Sequence, residues 1–167
     1  MAFPDINVKT LDFNTPMEAV TAFLQESTEA RHFFLDNREK LEKATPPEGK
    51  WTAIQVLAHL NYWEDWMYYN RFLPLEMKAK DLPLANWEEK NAESIETGGK
   101  SYLWLLDSWV ARRKRLVNFL GHQEDPVWNW KAKHEKYGRT DFFFWLTDMI
   151  EHDCTHGKSL RNQLINL

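Results

Sequence analysis

The sequence predicts an all-α protein, a four-helix bundle forming a single domain over residues 1–167. Three observations carry this reading. Four segments repeat apolar residues at helical spacing. Proline, glycine and hydroxyl residues punctuate their ends. No alternating apolar run is bounded by turn dipeptides, so strand signals are weak.

The first helix is expected from about Thr15 to Lys43. Thr15 can cap it, Pro16 suits the first helical position, and Glu18 follows three residues after the cap. Its apolar stripe reads Met17, Val20, Leu24, Ser27, Phe34 and Leu41. Pro46 and Pro47 stop it, because proline cannot continue a helix. The second helix spans about Thr52 to Leu73, with Thr52 and Gln55 forming a capping box. Its inward stripe is Val56, His59, Trp63, Trp66 and Asn70, and Pro74 is expected to end it. The third spans about Ser101 to Leu120, after Gly98 and Gly99. Its stripe includes Tyr102, Leu105, Trp109, Leu116 and Phe119, and Gly121 reads as its C-terminal cap. The fourth spans about Thr140 to Ile165, with Phe142, Trp145, Met149, His152, His156, Leu160 and Gln163 on one face.

The connections constrain topology. The first is short, so helices one and two should be antiparallel. The second, from Pro74 to Lys100, is long enough to travel the length of the bundle, so helix two can run parallel to helix three. A short helix is expected within its Leu84 to Glu96 stretch. A second long linker, from Gly121 to Arg139, separates helices three and four.

Composition excludes several classes. Lys plus Arg is 21 and Asp plus Glu is 25, a net charge of −4, which argues against a nucleic-acid partner. No apolar run is long enough to span a membrane, and Met1 to Asp5 has no leader-like pattern. A single cysteine forbids an intramolecular disulfide and fits a cytoplasmic location. Nine tryptophans are many for this length; some are expected to line a pocket or an interface.

Three histidines fall on core stripes. His152 and His156 are four apart, so on a helix their Cβ atoms lie roughly 6 Å apart on one face. His59 sits about 10 Å into helix two, and His156 about 13 Å before the end of helix four. If those helices are antiparallel, all three imidazoles lie at similar height. One histidine on an apolar face is usually a hydrogen-bonded core residue. Three at one level would be a costly way to build a dry core, and a metal gives all three a strong partner. Cys154 should point to the opposite side of its helix. His134, among Lys131 to Lys136, reads as part of a solvated loop. Within Arg112 to Arg115, Arg112 lies nearest the Trp109 stripe and could meet an anionic ligand or a buried carboxylate.

Two stretches resemble the DinB/YfiT-like superfamily. The first is Lys50 to Leu60, Lys-Trp-Thr-Ala-Ile-Gln-Val-Leu-Ala-His-Leu, followed by Glu64. The second is His152-Asp153-Cys154-Thr155-His156, matching the family's His-x-x-x-His. The chain departs where Gly157-Lys158-Ser159-Leu160 replaces an Arg-Gly-Gln-like run, and where Thr155 replaces a further histidine. Neither departure touches the triad. The resemblance implies an up-down-down-up bundle, a divalent transition metal such as zinc or nickel on His59, His152 and His156, and a homodimer. Characterised members include transferases and isomerases that use low-molecular-weight thiols.

Three neutral imidazoles with an open position suit catalysis better than structure. The expected function is therefore a metal-dependent transferase or hydrolase acting on a small-molecule substrate, with a small thiol or water activated at the metal. The alternative is a non-enzymatic ligand-binding or interaction protein with a structural or vestigial ion. No catalytic acid or base is assigned, since Glu64 should point away from His59. The Pro74 to Lys100 linker and the Thr45 to Lys50 turn should border the mouth, with Trp63, Trp109 and Arg112 as the expected pocket residues. Trp128 and Trp130 should lie at the far end, on a dimer surface or as a cover.

Overall fold

The structure is a computed structural model that describes residues 3–4, 7 and 11–165. Of the stretch Met1 to Asp5, residues Met1, Ala2 and Asp5 lie outside the described residues. In chain order the elements are α1 (Pro16–Asp36), α2 (Arg38–Lys43), α3 (Ala53–Met67), a π-helical turn (Tyr68–Phe72), α4 (Leu73–Glu76) and α5 (Trp87–Ser94). Then follow α6 (Tyr102–Gly121), α7 (Asp125–Trp128), β1 (Ala132–His134), β2 (Gly138–Thr140) and α8 (Phe142–Ile165). No described helix is long and apolar enough to cross a membrane.

Hydroxyl caps open three of the long helices. Thr15 accepts from the Glu18 amide at 3.2 Å, and Ser101 from the Trp104 amide at 3.2 Å. Thr52 accepts from the Gln55 amide at 3.3 Å, while Gln55 Oε1 accepts from the Thr52 amide at 2.9 Å. Each satisfies an amide that the first helical turn leaves unpaired.

The first predicted helix is two. It breaks at Asn37, whose φ of −105° and ψ of 8° depart from helical values and whose side chain donates to the Phe33 carbonyl. Its buried face is broader than the expected stripe and shifted at the start: Val20, Ser27, Phe34 and Leu41 are buried as expected, Met17 and Leu24 are exposed, and Phe23, Glu26, Ala30 and Phe33 join the interior. The cause lies across the bundle, where Arg113 of α6 bonds Glu26 and Ser27 and draws that face inward.

Pro74 does not end the second helix. The turn at Tyr68–Phe72 widens to π geometry and the chain continues as α4, with Pro74 in its first turn. Proline needs no amide partner there. The Asn70 carbonyl, four residues earlier, accepts from Arg71 Nη1 at 2.8 Å instead. Gly121 is likewise not a left-handed cap: it stays in α6, which closes at His122 with φ −96°.

The expected solvated loop around His134 is an antiparallel hairpin, pairing Ala132 with Thr140 and His134 with Gly138. His134 is 3% exposed. Its Nε2 lies 3.3 Å from Arg71 Nη2, and its ring packs on Trp145 and Tyr137. The short strands escaped the periodicity because a three-residue strand carries almost no alternation.

Two apolar clusters fill the interior. One gathers Phe23, Met67, Phe72, Trp128, Phe142 and Trp145. The other gathers Phe33, Phe34, Leu57, Leu60, Trp109 and Leu160. Trp128 is fully buried and covers the end of the bundle rather than facing outward. The Arg113 guanidinium sits 4.1 Å over Phe23 of the first cluster and 5.0 Å over Trp109 of the second. A polar layer thus separates the two cores.

Candidate metal centre

His59 of α3 and His152 and His156 of α8 converge, with one ligand atom from each ring lying within 4.8 Å of the others. Thr52 starts α3 so that its seventh residue, His59, faces α8 on the same stripe as Val56 and Trp63. The four-residue spacing on α8 places the other two rings on one face, edge to face at 4.6 Å. Ring centroids lie 4.9 Å apart for His59 and His152, and 4.7 Å for His59 and His156.

Hydrogen bonding fixes where the lone pairs point. Ser94 Oγ donates to the Asn91 carbonyl at 2.9 Å, so its single proton is committed. It therefore accepts from His59 Nδ1 at 2.6 Å, which leaves His59 Nε2 bare. His152 Nδ1 lies 3.1 Å from Asp153 Oδ1. A carboxylate only accepts, so that nitrogen carries the proton and His152 Nε2 is also bare. The two Nε2 atoms face each other at 2.8 Å. Two lone pairs at that distance need a proton or a cation between them.

The environment disfavours the proton. Burial, with repulsion from the neighbouring imidazoles, lowers the His59 pKa to about 2 and the His156 pKa to about 3. Neutral imidazole is the form that binds a metal. Two nitrogens each about 2.1 Å from one ion lie about 3.4 Å apart in a tetrahedral site. The 2.8 Å pair would have to open, and a pair near the 4.8 Å limit to close, to hold one ion.

Behind His152 lies a buried ion network. Arg113 donates to Glu64 through Nε at 2.8 Å and Nη2 at 3.0 Å, to Glu26 at 3.0 Å, to Ser27 at 2.7 Å and to Asp153 at 2.5 Å. Burial works against the Arg113 charge, but Glu64, Asp153 and Glu26 outweigh it and raise its pKa. Burial likewise opposes the Asp153 charge, yet Arg113 and His152 hold that carboxyl below its usual range. Glu26 goes the other way. Its burial and the neighbouring Asp153 push its pKa well up, and its Oε1 has no partner among the described residues. Burial also raises the Glu64 pKa, against the pull of Arg113.

Tryptophans wall the site. Trp51 stacks on His156 at 5.5 Å and 11°, and Trp63 stacks on His152 at 4.6 Å and 17°. Trp87, at the start of α5, packs against Trp63 at 4.8 Å. The Trp63 indole N–H is buried without a partner among the described residues. The other two expected pocket residues lie elsewhere in the contact network. Trp109 packs on Phe34 and under Arg113, and among the described residues makes no ring contact with the triad. Arg112 is engaged by Asp65 at 2.7 Å, Asn61 at 3.0 Å and Ser108. Glu64 does point away from His59, into the Arg113 network. Cys154 is buried and outside the triad.

Sequence reasoning missed Trp51, Ser94 and Asp153 as neighbours of the histidines. Asp153 had a signal, an acid adjacent to a candidate ligand. Ser94 had none, because only the path of the linker brings it to His59.

A helical bundle holding three convergent imidazoles on facing helices defines a candidate metal-binding protein. The chain belongs to the DinB superfamily, whose family model matches residues 36–160. Comparison with curated proteins returned no match, and comparison with solved structures returned none.

Proposed function

We propose that this chain is a metal-dependent transferase or hydrolase of the DinB superfamily, holding a divalent transition metal on His59, His152 and His156. The observation that carries the reading is the facing pair of bare Nε2 atoms, each with its Nδ1 hydrogen already committed. The donor set is three imidazole nitrogens, which suits zinc or nickel. No fourth His, Cys, Asp or Glu joins the cluster among the described residues, which leaves room for an exogenous ligand. Bound there, the ion would act as a Lewis acid that makes a small thiol or water acidic enough to react near neutral pH.

The chain's own residues do the rest. Trp51 and Trp63 flank the rings and cover their faces. Asp153 holds the His152 ring and its tautomer. The up-down-down-up order belongs to the same reading. Tyr102 meets Phe34 while Arg113 meets Glu26, so α6 opposes α1. Asn61 meets Leu105 while Glu64 meets Arg113, so α3 and α6 run together. Gln163 meets Trp51 while His152 meets His59, so α8 opposes α3.

The test is elemental analysis of protein purified without a nickel column, beside a variant with all three histidines changed to alanine. The reading expects close to one metal per chain in the first and none in the second. Equal metal in both, or none in either after incubation with zinc and with nickel, overturns it. A thiol-transfer assay across several small thiols then separates an enzyme from a protein with a structural ion.

A further inference from the structure

The polar strand of linker that crosses the site carries one buried side chain of its own. Within α5, Ser94 alone is buried, at 3% exposure, in a helix whose sequence is otherwise Trp-Glu-Glu-Lys-Asn-Ala-Glu. Its hydroxyl is the middle of a three-part relay. The Asn91 carbonyl takes the Ser94 proton, Ser94 Oγ takes the His59 Nδ1 proton, and His59 Nε2 is left aimed at His152. A hydroxyl turned toward His59 would give up its bond to the Asn91 carbonyl and place the imidazole proton on Nε2, between the converging rings.

Resting on the metal reading above, we propose that Ser94 is a positioning residue that sets the tautomer and ring orientation of His59, and that α5 is thereby part of the metal site. The rest of α5 supports this placement. Tyr62 Oη donates to Glu93 at 3.1 Å, and Trp87 packs on Trp63 and Trp66. All these anchors are on α3, the helix that carries His59. The strap is therefore registered directly against the ligand it orients. Its orienting bond is neutral and comes from a linker, whereas His152 is oriented by a charged carboxylate within its own helix. Outer partners of metal-bound histidines typically change affinity by about 10- to 100-fold when removed.

Two measurements test this. The first is zinc titration of the full chain, comparing wild type, Ser94→Ala and Ser94→Thr. Ser94→Ala should bind zinc roughly 10- to 100-fold more weakly, and Ser94→Thr, which keeps the hydroxyl, should recover most of the loss. The second is nitrogen NMR of the His59 ring in metal-free protein, which needs no variant to fold. Wild type should show the proton on Nδ1, and Ser94→Ala a mixture of tautomers. A wild-type His59 protonated on Nε2, or a folded Ser94→Ala variant with unchanged zinc affinity, overturns the proposal. If wild type binds no zinc, the metal reading fails, and the NMR result still decides whether Ser94 sets the tautomer.

Discussion

Arg113 Nη2 lies 2.5 Å from Asp153 Oδ2, and the other Asp153 oxygen faces His152 Nδ1. One carboxylate thus joins the buried ion network of the bundle to the proposed metal centre.

Removing the guanidinium should be costly. Arg113→Met leaves Glu26, Glu64 and Asp153 buried without their common partner. Breaking a buried ion pair on one side typically costs about 3–5 kcal/mol. Denaturant unfolding should show a loss of that order. A change under about 1 kcal/mol would mean the carboxylates escape by taking up protons.

Asp153→Asn tests the link to the metal. Asparagine keeps the shape but can turn its amide N–H toward His152. Zinc affinity should fall about 10- to 100-fold while the fold is retained. Zinc competition with a colorimetric chelator reads this directly, and wild-type affinity would remove Asp153 from the site.

Gly157 follows His156 on α8, and a Cβ there would overlap the ring of Phe3, itself 1% exposed. Overfilling a packed site costs about 1–3 kcal/mol. Gly157→Ala should lower Tm by several degrees in a thermal melt. An unchanged Tm would show that the Phe3 ring is displaced at no cost.

His134 should make stability depend on pH. Its pKa in the fold lies below the ordinary 6.5, first through burial and then through the nearby Arg71 and Lys136 charges. The unfolded chain therefore takes up this proton first. The His134 contribution is complete above about pH 6.5 and is lost as pH falls toward the folded value, by at most about 1.4 kcal/mol per pH unit. Urea unfolding at pH 7.5 and pH 5.5 should show a smaller acid loss for His134→Gln than for wild type. Equal losses would exclude His134 as a source of the slope.

Most of the architecture was legible because it rests on local signals. Thr15 and Thr52 announce their helices by capping chemistry alone, and the triad could be read from spacing plus helix direction. What escaped was set by distant partners. Glu26 is inside because Arg113 is, and a sequence window around either cannot see the other. Arg112 and Arg113 differ by one position, about 100° of helix, and the stripe that Trp109 defines was too broad to choose between them. The helix continues past Pro74 because Arg71 serves the Asn70 carbonyl, a substitution of one donor for another that no propensity encodes. Ser94 belongs to the same group, a linker residue whose role is set by where the linker goes.

The imidazoles of His59 and His152 meet across a separation of 93 residues. A ribosome-bound chain owns His59 long before it owns His152 and His156. Only the folded bundle presents three nitrogens to one point, so an ion held by all three would report that the two halves of the chain have found each other.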